Sequence, residues 1–163
     1  MRRFILSVCV VLLAAVPAHA QEVPRWYAQV PLLPLAEGEH PDIEELLSAH
    51  WADYFRAGGE LGFDLDQVRA GRVDLDGGDD GELVLMIDHP RWRADDGKPF
   101  VVAAWTGGRW VPVGWGWGEE DGVFVTTEVI DGWRTIDAGN FLMRWTAGGY
   151  QRERKPAGTG LSP

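Results

Sequence analysis

The sequence predicts an α+β domain in which one N-terminal amphipathic helix packs on an antiparallel β-meander of about five to six strands. Three observations predict it. Residues 41–57 place apolar side chains at helical spacing. From residue 60 onward, short apolar or alternating runs follow one another. The joints between those runs hold Gly-Gly and Asp-Gly pairs, which suit tight hairpins.

Residues 1–20, MRRFILSVCVVLLAAVPAHA, carry Arg2 and Arg3, an apolar run from Phe4 to Val16, and an Ala-x-Ala ending at Ala18-His19-Ala20. This pattern is that of a secretory signal peptide. It predicts a periplasmic or secreted protein, exported by the general secretory route. Cys9 lies in the middle of the apolar run, not at its end, which disfavours lipidation. The 163-residue chain has one Cys, so the exported part has none, and a disulfide scaffold, a thiol enzyme and a Cys-ligated zinc site are excluded. No later apolar run approaches ~18 residues, so no membrane insertion is expected after signal removal. Fifteen Lys and Arg, two of them in the leader, stand against 25 Asp and Glu, leaving −12 on the exported part. That charge argues against nucleic acid and suits cationic partners, metal ions included.

Residues 21–38 carry Pro24, Pro31 and Pro34, which forbid a helix, together with Trp26, Tyr27, Val30 and three leucines. An extended strap lying across the domain is expected. The single α+β domain then spans 39–151. Its helix opens with Pro41, Asp42, Glu44 and Glu45, which favour a helix N-terminus. Ile43, Leu46, Leu47, Trp51, Tyr54 and Phe55 form its apolar face, and Gly58-Gly59 ends it. Expected strands are Leu83–Asp88, Phe100–Trp105, Trp110–Trp117, Val123–Val129, Trp133–Asp137, Phe141–Trp145 and a last one from Tyr150. Residues 152–163, RERKPAGTGLSP, read as a disordered tail.

The acidic stretch Asp74-Leu75-Asp76-Gly77-Gly78-Asp79-Asp80-Gly81-Glu82 runs straight into the strand at Leu83. Calcium takes six to eight oxygen ligands. Carboxylates at alternate positions supply them, glycines permit the tight turn, and an acid closes the loop. Asp74, Asp76 and Glu82 fit those roles, with Asp79 or Asp80 as a further ligand and a main-chain carbonyl or water completing the shell. A weak calcium site is expected; a relic loop that keeps the turn without metal, and a plain acidic turn, are the alternatives.

The stretch resembles the Asp-x-Asp/Asn-Gly-Asp-Gly-x-x-Glu loop of FG-GAP/VCBS-type, EF-hand-like repeats. More specifically, the chain resembles small exported proteobacterial proteins with a single such loop, over about residues 70–151. The matching pieces are Asp74–Glu82, Leu83–Pro90, Trp105–Trp117, Gly132-Trp133-Arg134 and Gly148-Gly149-Tyr150. The resemblance implies export and fold, and no activity. Two departures stand out: Gly78 occupies the fifth position, where the pattern has Asp, and Asp79 the sixth, where it has Gly. The Cys pair of many relatives is absent from Trp92–Gly97.

All nine Trp follow the leader, and seven fall between Trp92 and Trp145. In Val111–Gly118, strict alternation places Val111, Val113, Trp115 and Trp117 on one face and glycines on the other. That face is either core or, through Trp115 and Trp117, a binding surface for a protein or a sugar.

Nothing singles out a catalytic set. Ser48 and His50 are two apart on the helix and point away from each other. His40, His50 and His89 have no ligand spacing of the i, i+4 kind. No phosphate loop is present. The expected function is a non-enzymatic periplasmic or secreted binding module, with a degenerate calcium-type loop in a structural role. The alternatives are an inhibitor or immunity-type protein that binds a basic envelope or secreted enzyme, and an envelope hydrolase using a carboxylate pair.

Overall fold

The structure is a computed structural model that describes residues 26–57, 60–61, 64–119 and 122–156; of residues 50–57 and 60–61 only the backbone is described. The expected leader lies outside the described residues. The elements are β1 (Trp26–Gln29), β2 (Leu33–Pro34), α1 (His40–Phe55), β3 (Arg56–Ala57), β4 (Glu60–Leu61), β5 (Val68–Val73), β6 (Glu82–Ile87), β7 (Lys98–Thr106), β8 (Arg109–Gly118), β9 (Phe124–Ile130), β10 (Trp133–Asp137), β11 (Phe141–Thr146) and β12 (Gly149–Arg154).

The expected α+β arrangement is corrected. The fold is mostly β, built from two antiparallel five-stranded sheets, and the helix follows two strands instead of leading a single meander. One sheet runs β2-β5-β6-β7-β8 and the other β1-β9-β10-β11-β12. The chain leaves the first sheet after β8 and returns at β9 to the second, whose edge strand β1 it had laid down at the start. The reason lies in β6. Every residue of Glu82–Ile87 is buried. Val84 and Met86 face the second sheet, packing with Phe100, Val125, Ile136 and Met143. Leu83, Leu85 and Ile87 face the other way, onto Ile43, Leu46 and Leu47 of α1. A strand apolar on both faces needs a layer on each side. One meander and one helix supply only one of them; the second sheet supplies the other.

Three hairpins use the same backbone solution. Gly107-Gly108, Asp131-Gly132 and Ala147-Gly148 each have positive φ at both central residues, the geometry that matches strand twist in two-residue turns. Within the Pro-containing segment expected as a strap, β1 pairs with β9 and β2 with β5, so it edges both sheets.

The expected disordered tail begins too early. β12 pairs with β11 as far as Arg154, and the following Lys155 is buried. Its ammonium lies 2.6 Å from Asp137, whose side chain is 1 % exposed. Asp137 also accepts from the Trp26 indole and the Gly139 amide, each at 3.0 Å. One buried carboxylate thus ties the first described strand, the β10–β11 turn and the chain after β12. Residues 157–163 lie outside the described residues.

Removing one partner of a buried ion pair leaves an uncompensated charge and costs roughly 3–5 kcal/mol. Lys155→Met is expected to lower the unfolding free energy in urea by about 3 kcal/mol or more. A loss below ~1 kcal/mol would show that the pair contributes like an exposed one.

Candidate functional site

The acidic loop joins β5 to β6. Its alternation has a structural cause: Leu75 is fully buried in the core between the sheets, which turns Asp74 and Asp76 outward on either side of it. The Leu75 amide donates to Glu82 Oε2 at 2.7 Å, and its carbonyl accepts from the Arg134 amide of β10 at 2.7 Å. The Tyr150 hydroxyl of β12 donates to the Arg134 carbonyl at 2.7 Å. The loop is therefore fastened to both sheets through Leu75.

Asp74, Asp76 and Glu82 each offer a carboxylate oxygen, and the three oxygens lie within 4.8 Å of one another. Oxygens on opposite sides of a calcium ion at 2.3–2.6 Å stand about 4.6–5.2 Å apart, so this spread fits one coordination shell. Among the described residues this is the metal-capable group of three. Two amides already hold the exposed carboxylates in place: Gly77 donates to Asp74 Oδ1 at 2.6 Å, and Gly78 to Asp76 Oδ1 at 2.7 Å. A carboxylate has about four acceptor sites, so such bonds do not exhaust it. Gly78 now has a physical account: a β-carbon there would fall 2.8 Å from Asp76 Oδ1.

Asp79 and Asp80 do not join the group. They are exposed and line a neighbouring groove with Arg72, Trp105 and Trp110. Glu82 differs from the aspartates in being buried, at 3 % exposure. Burial pushes its carboxyl above the usual range; the Leu75 amide opposes the rise, and Asp76 and Asp74 add to it. Burial also pushes the Tyr150 phenol up, and the negative charges of Glu82 and Asp76 add to that rise.

The tryptophan face divides differently from strict alternation. Val102 pairs with Gly114 and Ala103 with Pro112, so Val113 is an extra residue that reverses the phase. Val113 packs on the core between the sheets, whereas Trp115 and Trp117 stand on the opposite face of β8. Glycines take the inward places: a β-carbon on Gly114 would lie 2.5 Å from that of Tyr150, and one on Gly116 3.2 Å from the Phe100 ring. Trp115 is 43 % exposed. The Arg152 guanidinium of β12 lies 5.9 Å from the Trp115 ring, 5.3 Å from Trp117 and 4.8 Å from Phe141.

Trp105, a residue the sequence reading did not single out, is 44 % exposed. Its signal was its place opposite Trp110 across Gly107-Gly108. His89 Nδ1 accepts from the Arg91 amide at 3.1 Å, a turn-capping contact. No described helix is long and apolar enough to cross a membrane. No family model matches the sequence, and no curated protein or solved structure matches it either.

The raised Glu82 carboxyl fixes the sign of a pH effect. The folded state holds this proton more tightly than the unfolded chain, so stability falls as pH rises from the ordinary carboxylate value through the raised one. With divalent ions chelated, Glu82→Gln is expected to be more stable than the parent at about pH 7, and to lose that part of the pH slope. Its amide oxygen can still accept from Leu75. Melts at several pH values check this; a less stable variant with the parent slope would refute it.

Proposed function

We propose that this protein is a non-enzymatic binding module of the periplasm or extracellular space, and that its acidic loop takes a calcium ion in a structural role. The observation that carries the metal reading is the convergence of Asp74, Asp76 and Glu82 within 4.8 Å at a loop fastened to both sheets. An ion there offsets the charge of a buried carboxylate and two neighbours. It also fixes the turn that starts β6, the strand buried on both faces. The leader-like residues 1–20 and the acidic composition support export and solubility. With two exposed ligands and one buried one, the affinity belongs to the 10⁻⁴–10⁻³ M range of extracellular modules.

A melt in EDTA and then in about 10 mM calcium tests the metal reading. A Kd of roughly 0.1–1 mM gives about 1.4–2.7 kcal/mol of stabilisation. For a domain of this size, that is a rise of roughly 3–10 °C. The rise is expected to vanish in Asp74→Ala and Glu82→Gln and to be absent with magnesium, which dehydrates reluctantly. Equal melts in EDTA and calcium would make the loop a metal-free turn.

A further inference from the structure

A second feature adjoins the acidic loop without using its three converging carboxylates. Two hollows on the α1 side of the first sheet share Asp42, Trp105 and Trp110 and so form one groove. Glu45 of α1 lines one end, and Asp79 and Asp80 line the other. The aromatic wall is the Trp105–Trp110 pair, in edge-to-face contact with ring centroids 5.0 Å apart. Trp110 is buried under the helix, whereas Trp105 is 44 % exposed.

The chain's own arginine already occupies part of this aromatic wall. The guanidinium of Arg72 sits 4.8 Å from the Trp110 ring centroid and pairs with Glu39 at 3.6 Å. That is a cation on an aromatic face with a carboxylate beside it. Trp105 presents the same combination to the outside, an exposed indole with Asp42, Glu45, Asp79 and Asp80 along the groove. The groove's own cations, Arg72 and Arg109, are outnumbered by these four acids.

We propose that this groove binds an arginine side chain of a basic partner polypeptide, with the guanidinium stacked on Trp105 and its charge met by the flanking carboxylates. Arginine suits the site better than lysine, because its planar guanidinium lies flat on an indole and is weakly hydrated. The −12 charge of the chain after residue 20 steers a basic partner toward it. The inference rests on the binding-module reading and specifies the partner's chemistry. It does not depend on the metal.

The test follows the indole N–H cross-peaks of the ¹⁵N-labelled protein in EDTA during titration with the peptide acetyl-(Gly-Arg)₄-amide. Trp105→Phe assigns the Trp105 peak. Saturable shifts of the Trp105 and Trp110 peaks are expected, fading as salt rises from about 50 to about 500 mM. Affinity is expected to fall roughly tenfold in Trp105→Ala and to weaken in Asp42→Asn/Glu45→Gln. Trp105→Phe, which keeps an aromatic face, is expected to retain most of it, and Trp115→Ala all of it. The proposal is overturned by unmoved Trp105 and Trp110 peaks, by undiminished binding in Trp105→Ala, or by equal affinity for acetyl-(Gly-Lys)₄-amide. A calcium response without peptide shifts defeats this inference and leaves the metal reading standing; peptide shifts without a calcium response do the reverse.

Discussion

The two-sided burial of β6 is the constraint on which the rest of the structure depends. Leu83, Leu85 and Ile87 need one covering layer, and Val84 and Met86 need another. Burying a large aliphatic side chain is worth roughly 1.5–3 kcal/mol, so leaving either face of this strand wet would consume much of a domain's net stability. α1 covers one face with three residues at helical spacing, Ile43, Leu46 and Leu47. The second sheet covers the other, which is why β9–β12 do not simply extend the first meander. β7 obeys the same division, with Phe100 and Val102 facing the second sheet and Val101 and Ala103 facing the helix.

Holding two sheets together over such a strand requires ties at their margins, and the chain supplies three of different kinds. At one margin, consecutive segments of the same chain enter both sheets as β1 and β2. At the opposite margin, Gly114 on β8 lets the backbone come close to Tyr150 of β12. At the β5–β6 turn, Leu75 is hydrogen-bonded to Glu82 on its own sheet and to Arg134 on the other. The last tie is the one that involves ionisable groups. The buried Glu82 carboxylate that holds the Leu75 amide carries a desolvation cost, and a cation held with Asp74 and Asp76 would offset it. The proposed metal binding and the sheet packing would therefore meet in one residue, Glu82.

The strands from β7 to β11 were legible because each is an apolar or alternating run that ends at or beside a glycine turn, and β6 because it is an unbroken apolar run before His89-Pro90. The helix was legible because Ile43, Leu46 and Leu47 repeat at helical spacing. The number of sheets was not, since periodicity reports which faces are apolar and says nothing of what covers them. The unbroken run Leu83–Ile87 held the clue, being the pattern of a strand with no wet face. β5 was missed because Val68-Arg69-Ala70-Gly71-Arg72-Val73 has few large apolar residues; a β-carbon on Gly71 would come 2.8 Å from Val30. Arg152 to Lys155 read as a solvated tail because four charged residues stand in a row, while the partner of Lys155 lies 18 residues earlier. At the site, alternation of Asp74 and Asp76 with a closing Glu82 was enough to find the three carboxylates. The phase of Trp115 and Trp117 was not, because a one-residue bulge at Val113 leaves no trace in composition. Trp105 was passed over because it closes an apolar run, which does not tell that its side chain is 44 % exposed.

The proposed calcium ion would be held by Asp74, Asp76 and Glu82 at the point where the two sheets are joined. Amide hydrogen exchange with and without calcium tests it most directly, because the loop's own hydrogen bonds are the reporters. Slower exchange in calcium is expected at Leu75, Gly77 and Gly78, whose amides donate to the three carboxylates, and at Arg134, whose amide donates to Leu75. Identical exchange at these four amides in calcium and in EDTA would contradict it.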